Sequence, residues 1–242
     1  MTSENVLDSK IHGRKLTIGV SLSYFIFSLV INAAGNVLTV VTSQKIHPPF
    51  LGSAYWTAAS AGVNKALFNG NSSMLGWVFF VIGVAVAILN VFLQGHFNAR
   101  KFFGNIAFMV PFSAFISYFA NIFSSIMPDS KSIGMTIFYV ILNFFGVFLI
   151  AIAISIYQRV NLVLHPADDL MQILRFKYFK GSAAKAMWAS YIPPTILAII
   201  AIIIYPDFSN YGLGTVFAFL FQGGITGWGD KAIFPNLKHQ GV

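Results

Sequence analysis

The chain has 242 residues, 57% of them hydrophobic and only 9% charged, with a mean hydropathy of +0.74. A soluble domain carries roughly 25% charged residues, so this composition excludes a chain that covers itself with a polar surface. The net charge of +8 does not indicate nucleic acid, because the basic residues sit in short clusters between apolar runs, and the absence of cysteine excludes disulfides, thiolate nucleophiles and thiolate metal sites.

Residues 1–15 are polar and mixed in charge and read as a cytoplasmic tail. The apolar run that follows is too long for a signal-peptide core and lacks a small-residue cleavage site, which makes it the first span. A hydrocarbon core about 30 Å thick takes roughly 20 apolar residues in a helix. Five runs meet that length without a charged residue: 16–41, 73–93, 104–127, 133–157 and 186–205. A sixth, 212–228, is shorter and rich in glycine. If the N-terminus is cytoplasmic, the inner segments hold twelve basic residues, from Lys10 to Lys238, and the outer ones only Lys45, Lys65 and Lys131. That asymmetry fits the positive-inside rule for six spans, both termini in the cytoplasm and residence in the plasma membrane.

Sliding the chain over itself by 111 residues brings Asn32 to Gly35 onto Asn143 to Gly146, Trp56-Thr57 onto Ala167-Asp168, Gly70-Asn71 onto Gly181-Ser182 and Trp77 onto Trp188. With one residue deleted, Gly104-Asn105 meets Gly214-Thr215. The repeating unit is a span, an intervening segment and two more spans. Three spans are an odd number, so the second unit enters the membrane from the opposite side, as in secondary transporters with substrate sites between inverted repeats. The intervening segments, 51–68 and 166–179, are too short or too polar to span and have helical spacing behind a Pro or Gly breaker. Each is either an amphipathic helix at the interface or a re-entrant half-helix whose N–H groups face a cavity.

Gly52-Ser53-Ala54-Tyr55-Trp56-Thr57, Pro166-Ala167-Asp168-Asp169-Leu170-Met171 and Gly212-Leu213-Gly214-Thr215 resemble motifs of the YczE/YyaS/YitT-like bacterial integral membrane proteins. The resemblance covers nearly the whole chain and implies a polytopic membrane protein, described for that family as a transporter or a membrane protein of unsettled function. Tyr55 stands where that pattern has proline and Thr57 where it has aspartate, so a role needing a carboxylate in both halves does not carry over.

Several residues invite two readings each. Asn32 and Asn143 lie inside spans, three residues before Gly35 and Gly146. They are helix–helix glue, or their amides line a central site for a polar solute. Asp168 and Asp169 occupy a first helical turn, where carboxylates are favoured by the macrodipole; alternatively Asp168 holds a cation or a proton. Asp230 reads as a solvated end residue or a partner of Lys231, and the four tryptophans as interfacial anchors. Gly212, Gly214, Thr215, Gly223 and Gly224 allow close packing or a hinge in the last span. The five histidines have no metal-ligand spacing, and no nucleophile elbow, Walker loop or paired carboxylate occurs, so no enzyme, metal or cofactor is expected.

The sequence therefore predicts an all-α polytopic membrane protein of six spans. Two inverted three-span repeats occupy 16–127 and 133–234, each with an extra short interfacial or re-entrant helix, followed by a cytoplasmic tail at 235–242. The leading function is a transporter or permease for a small polar solute, with Asn32, Gly35, Thr57, Asn143, Gly146 and Asp168 along its pathway. The alternative is a non-transporting scaffold or regulatory partner. The partners are the lipid bilayer and a small solute, not nucleic acid; a homo-oligomer or a membrane-protein partner stays open.

Overall fold

The computed structural model describes residues 16–180, 183–238 and 240. The tail at 1–15 and the proposed repeat match at Gly181-Ser182 lie outside the described residues. Within them every regular element is helical. In order come α1 (Ile18–Gln44), α2 (Tyr55–Phe68), α3 (Ser72–Gln94), α4 (Ala99–Ile126), α5 (Ile133–Val160), α6 (Pro166–Ile173), α7 (Ala183–Ser190), α8 (Ile192–Ile204) and α9 (Leu213–Ala232). Five stretches are long and apolar enough to cross a membrane: α1, α3, α4, α5 and the segment Lys185–Ile204 made of α7 and α8. The chain is thus a membrane protein by its helices.

Local signals set the boundaries. Thr17, Asn71, Asn98 and Ser132 each accept a hydrogen bond from a backbone N–H in the first turn of the helix they precede, satisfying a donor that has no intrahelical partner. α3 ends at Gly95 and α5 at Asn161, both left-handed. The run read as one span at 186–205 is broken at Tyr191 into α7 and α8, because Pro193 and Pro194 lack the N–H groups of a continuous helix. The segment read at 166–179 is α6 followed by a π-helical turn, Leu174–Tyr178. The short helix of the first half starts at Tyr55, after an extended stretch.

α1 and α5 form the central pair. They meet at two glycines: a Cβ on Gly35 would lie 2.6 Å from the Gly146 carbonyl oxygen, and one on Gly146 would lie 2.8 Å from that of Gly35. α4 packs against α1 and α9 against α5, while α2 packs on α8 and α6 on α3. Leu29, Val37, Phe108, Phe112, Ile116 and Tyr157 are almost wholly buried between these layers. Trp77, Phe103, Trp188 and Ile203 stand outward on the apolar shell.

One end is sealed by backbone pairing. The Ser53 N–H donates to the Asn210 carbonyl at 3.0 Å, and the Leu213 N–H donates to the Phe50 carbonyl at 3.0 Å. Gly52 sits there with φ +67°, and a side chain on it would run into the Gly212 backbone and Thr215. At the opposite end, the buried Arg159 on α5 donates to the carbonyls of Ile233 (2.8 Å), Phe234 (3.0 Å) and Leu237 (3.1 Å). Asp230 is no solvated end residue: it lies 3.5 Å from the Arg159 guanidinium and accepts from the Ser155 hydroxyl at 2.7 Å.

Because backbone stands on both sides of the α1–α5 contact, neither helix can yield to an added side chain. Gly35→Val and Gly146→Val are each expected to destabilise the protein by about 1–3 kcal/mol or more, seen as a lowered thermal midpoint in detergent. Gly134→Ala, in open space, should leave the midpoint unchanged or raise it.

Candidate functional site

A cavity of about 290 Å³ opens between the two halves of the chain. That is close to the lower end of volumes seen for small-molecule sites. Residues from α1 to α7 and from α9 line it, so every long helix touches one space.

Its polar floor is a chain of hydrogen bonds. The Thr57 hydroxyl, in the first turn of α2, donates to Asn36 Oδ1. Asn36 Nδ2 donates to Asn32 Oδ1 at 2.6 Å, the two amides standing one helical turn apart on α1. Asn32 lies against Tyr157 on α5, and the Tyr157 hydroxyl donates to Asp168 Oδ2. Gln158 Nε2 closes the row by donating to Asp168 Oδ1 at 3.4 Å. Thr57 and Asp168, 111 residues apart, thus reach the same cavity from the N-terminal turns of the two short helices.

Asp168 is not the cap of α6. That role belongs to His165, whose Nδ1 accepts from the Ala167 N–H at 3.1 Å, while the Asp168 carboxylate turns to Tyr157 and Gln158. Burial pushes the Asp168 carboxyl up to about 6, the neighbouring Asp169 adding to the rise and the bonds from Tyr157 and Gln158 opposing it. Burial also pushes the His165 imidazole down to about 4, so it is neutral at pH 7. The other four described aspartates are paired: Asp129 with Lys45 (3.6 Å), Asp169 with Lys101 (3.4 Å), Asp207 with Lys65 and Asp230 with Arg159. Asp168 alone among the described carboxylates has no basic partner, and the area it exposes faces the cavity.

The remaining expected residues divide by place. Asn32, Thr57, Asp168 and Gly223 line the cavity. Asn143 does not: its Nδ2 donates to the Thr39 carbonyl (3.0 Å), the Thr42 hydroxyl (3.1 Å) and the Gly52 carbonyl (2.9 Å), stapling α5 to α1 and to the extended segment before α2. Gly35 and Gly146 form the helix crossing. Gly212, Gly214 and Thr215 form the seam with Phe50–Ser53, where Thr215 Oγ1 accepts from the Gly212 N–H at 3.2 Å and Gly214 lies against Asn143. Gly224 lines a separate outer groove with Phe148 and Trp228. Trp56 lines the cavity. Asn36, Tyr157, Gln158 and His165 were missed from sequence; only Asn36 carried a signal, its spacing of four from Asn32. Among the described residues no cluster of three metal-ligating side chains occurs.

Two measurements separate these roles. Asn143→Leu removes the donor to the buried Gly52 carbonyl and the bonds from α5 to α1, and is expected to destabilise by about 1–3 kcal/mol, with any ligand response retained. For Asp168, the folded chain holds a proton more tightly than an ordinary aspartate, which titrates at about 4, so between about 4 and about 6 the folded state binds more protons. Its contribution makes stability fall as pH rises through that window, and Asp168→Asn should flatten this part of the thermal-midpoint profile.

No curated protein and no solved structure matches this chain. A family of unknown function, DUF6198, matches residues 19–231, nearly the full length. The chain belongs to the DUF6198 family.

Proposed function

We propose that this protein is a permease for a small polar solute, its pathway running through the cavity between two inverted three-span repeats. The observation that carries the reading is the hydrogen-bonded row from Thr57 through Asn36, Asn32 and Tyr157 to Asp168, which faces a cavity near the middle of α1. A scaffold gains nothing from polar groups held around an open space inside an apolar bundle, where each carries a desolvation cost.

Three features support the repeat. The α1–α5 contact falls on Gly35 and Gly146, the same position in each half. The contacts exchange between halves: α2 packs on α8 while its counterpart α6 packs on α3, and α1–α4 is matched by α5–α9. The residues matched at Gly104 and Gly214 both lie beside the segment that leads into a short helix, at Val163 and Leu51 respectively.

α9 completes the sixth span in this reading. Its 20 residues reach about 30 Å at 1.5 Å each. It begins beside Phe50 and ends beside Ser155 and Arg159. The four ion pairs between described residues agree, each joining segments assigned to one side: Lys45–Asp129 and Lys65–Asp207 outside, Lys101–Asp169 and Arg159–Asp230 inside. With both termini cytoplasmic, α2 dips in from the outer face and α6 from the cytoplasmic face. Their N-terminal turns meet at the cavity, as half-helices do in transporters with inverted repeats.

The test is a thermal-unfolding screen of the purified protein against ions, amino acids, sugars, nucleobases, amines and organic anions, repeated on two glycine variants. A ligand at 100 times its dissociation constant stabilises by about 2.7 kcal/mol. Gly223 and Gly224 both have open space around them, so leucine at either leaves the fold intact. Gly223→Leu fills the cavity and should abolish the response, while Gly224→Leu should keep it. A ligand response unchanged in Gly223→Leu would put the binding elsewhere and favour the scaffold reading.

A further inference from the structure

Resting on the permease reading, we propose that the cavity takes a small monovalent organic cation, a protonated or quaternary amine, held as the counter-ion of Asp168 within an aromatic wall. The cavity offers one carboxylate and no lysine or arginine. Every other described aspartate has a basic partner within the protein, whereas Asp168 faces open space. A carboxylate withdrawn from water is costly unless it is paired or protonated. The missing positive charge is therefore supplied from outside the chain, by a bound cation or by a proton.

The rest of the lining indicates which cation. Tyr55, Trp56, Phe79, Phe112, Tyr157 and Tyr191 surround the space, and Tyr55 and Tyr191 stand together with ring centroids 4.6 Å apart. Aromatic faces attract alkylammonium groups that carry their charge on a diffuse apolar surface. Calcium and magnesium are held by six or more oxygens, usually with several carboxylates, whereas this lining has one carboxylate, already accepting from Tyr157 and Gln158, and among the described residues no three metal-ligating side chains cluster. Anions meet no positive group.

Cation and proton compete for one carboxylate. Cation entry breaks the Asp168 O–H bond, the proton leaves to water, and the carboxylate stays paired to the ligand, so one positive charge replaces another and no other bond changes. Tyr157 faces the carboxylate from α5 as a hydrogen-bond donor, with Gln158 beside it. On α6 itself stand His165, held neutral, and Asp169, which is engaged by Lys101 from α4. The side chains that α3 sends to the cavity are Phe79, Ile82 and Val86, none of them titratable, and neither Lys185 of α7 nor Arg175 and Lys177 of the π-helical turn lines it. The Asp168 value of about 6 places the exchange within reach of ordinary pH.

Calorimetric titration of the purified full chain tests this with choline, tetraethylammonium, the neutral choline isostere 3,3-dimethylbutan-1-ol, and benzoate. Runs at pH 8 and pH 5, in two buffers of different ionisation enthalpy, report protons released. The two cations are expected to bind at pH 8 without proton release. At pH 5 they should bind about tenfold more weakly and release nearly one proton each, while the alcohol and benzoate stay silent. Asp168→Asn keeps an acceptor for Tyr157; it should weaken cation binding about 30-fold or more and remove the pH dependence, with Asp168→Glu intermediate. Cation binding without proton release at pH 5, or undiminished in a folded Asp168→Asn, overturns the assignment to Asp168. Binding of benzoate or the alcohol in place of the cations overturns the charge class and leaves the permease reading intact. Silence from all four probes overturns the proposal; a ligand from the wider screen that is lost in Gly223→Leu would then keep the permease reading alone.

Discussion

The backbone-to-backbone contact of α1 and α5 at Gly35 and Gly146 is the constraint around which the other helices are arranged. In a bilayer the tails are as apolar as leucine, so helices associate through close packing and shared hydrogen bonds. Two opposed glycines bring these helices near enough for Asn143 of α5 to reach the Thr39 carbonyl and the Thr42 hydroxyl of α1. The same amide holds the Gly52 carbonyl and so fixes where α2 begins. Spacing the two helices apart would break both attachments and let the start of α2 drift.

That fixed centre makes room beside itself. α2 and α6 are short, and their first turns line the cavity beside the α1–α5 pair. The space left is lined by all the long helices. Its walls are largely aromatic and aliphatic, while Thr57, Asn36, Asn32, Tyr157, Gln158 and Asp168 form one connected row. Within that row the amides and hydroxyls satisfy one another, and the carboxylate at the end is the group whose charge the protein leaves unmatched. The neutral partners fix the geometry of that carboxylate.

Much of this was legible in the sequence, for identifiable reasons. Charge-free runs of bilayer length locate α1, α3, α4 and α5, because hydrocarbon tolerates few ionised side chains. The 111-residue offset paired Gly35 with Gly146 and Thr57 with Asp168, and each pair converges in the fold, the glycines at the helix crossing and the two polar side chains at the cavity. The same logic misplaced Asn143. Asn32 and Asn143 match in sequence, yet Asn32 faces the cavity with Asn36 while Asn143 faces the Gly52 turn, and pattern alone does not reveal which way a side chain points on a buried helix. Tyr157 and Gln158 went unnoticed because they close a long apolar run. The break at Tyr191 was written in Pro193 and Pro194, but hydropathy averaged over a window blurs a local backbone effect.

Arg159 has a consequence for how the chain is made. Its guanidinium sits in α5 with 1% of the residue's surface exposed, and its carbonyl partners from Asp230 to Leu237 lie 71 to 78 residues downstream. At ribosomal speeds of about 5–20 residues per second, those partners emerge on the order of ten seconds after Arg159 itself. Through that interval α5 carries an uncompensated cation, which neighbouring lipid headgroups or water must solvate. The packing around this end of α5 is therefore complete only once α9 and the segment up to Leu237 have been made.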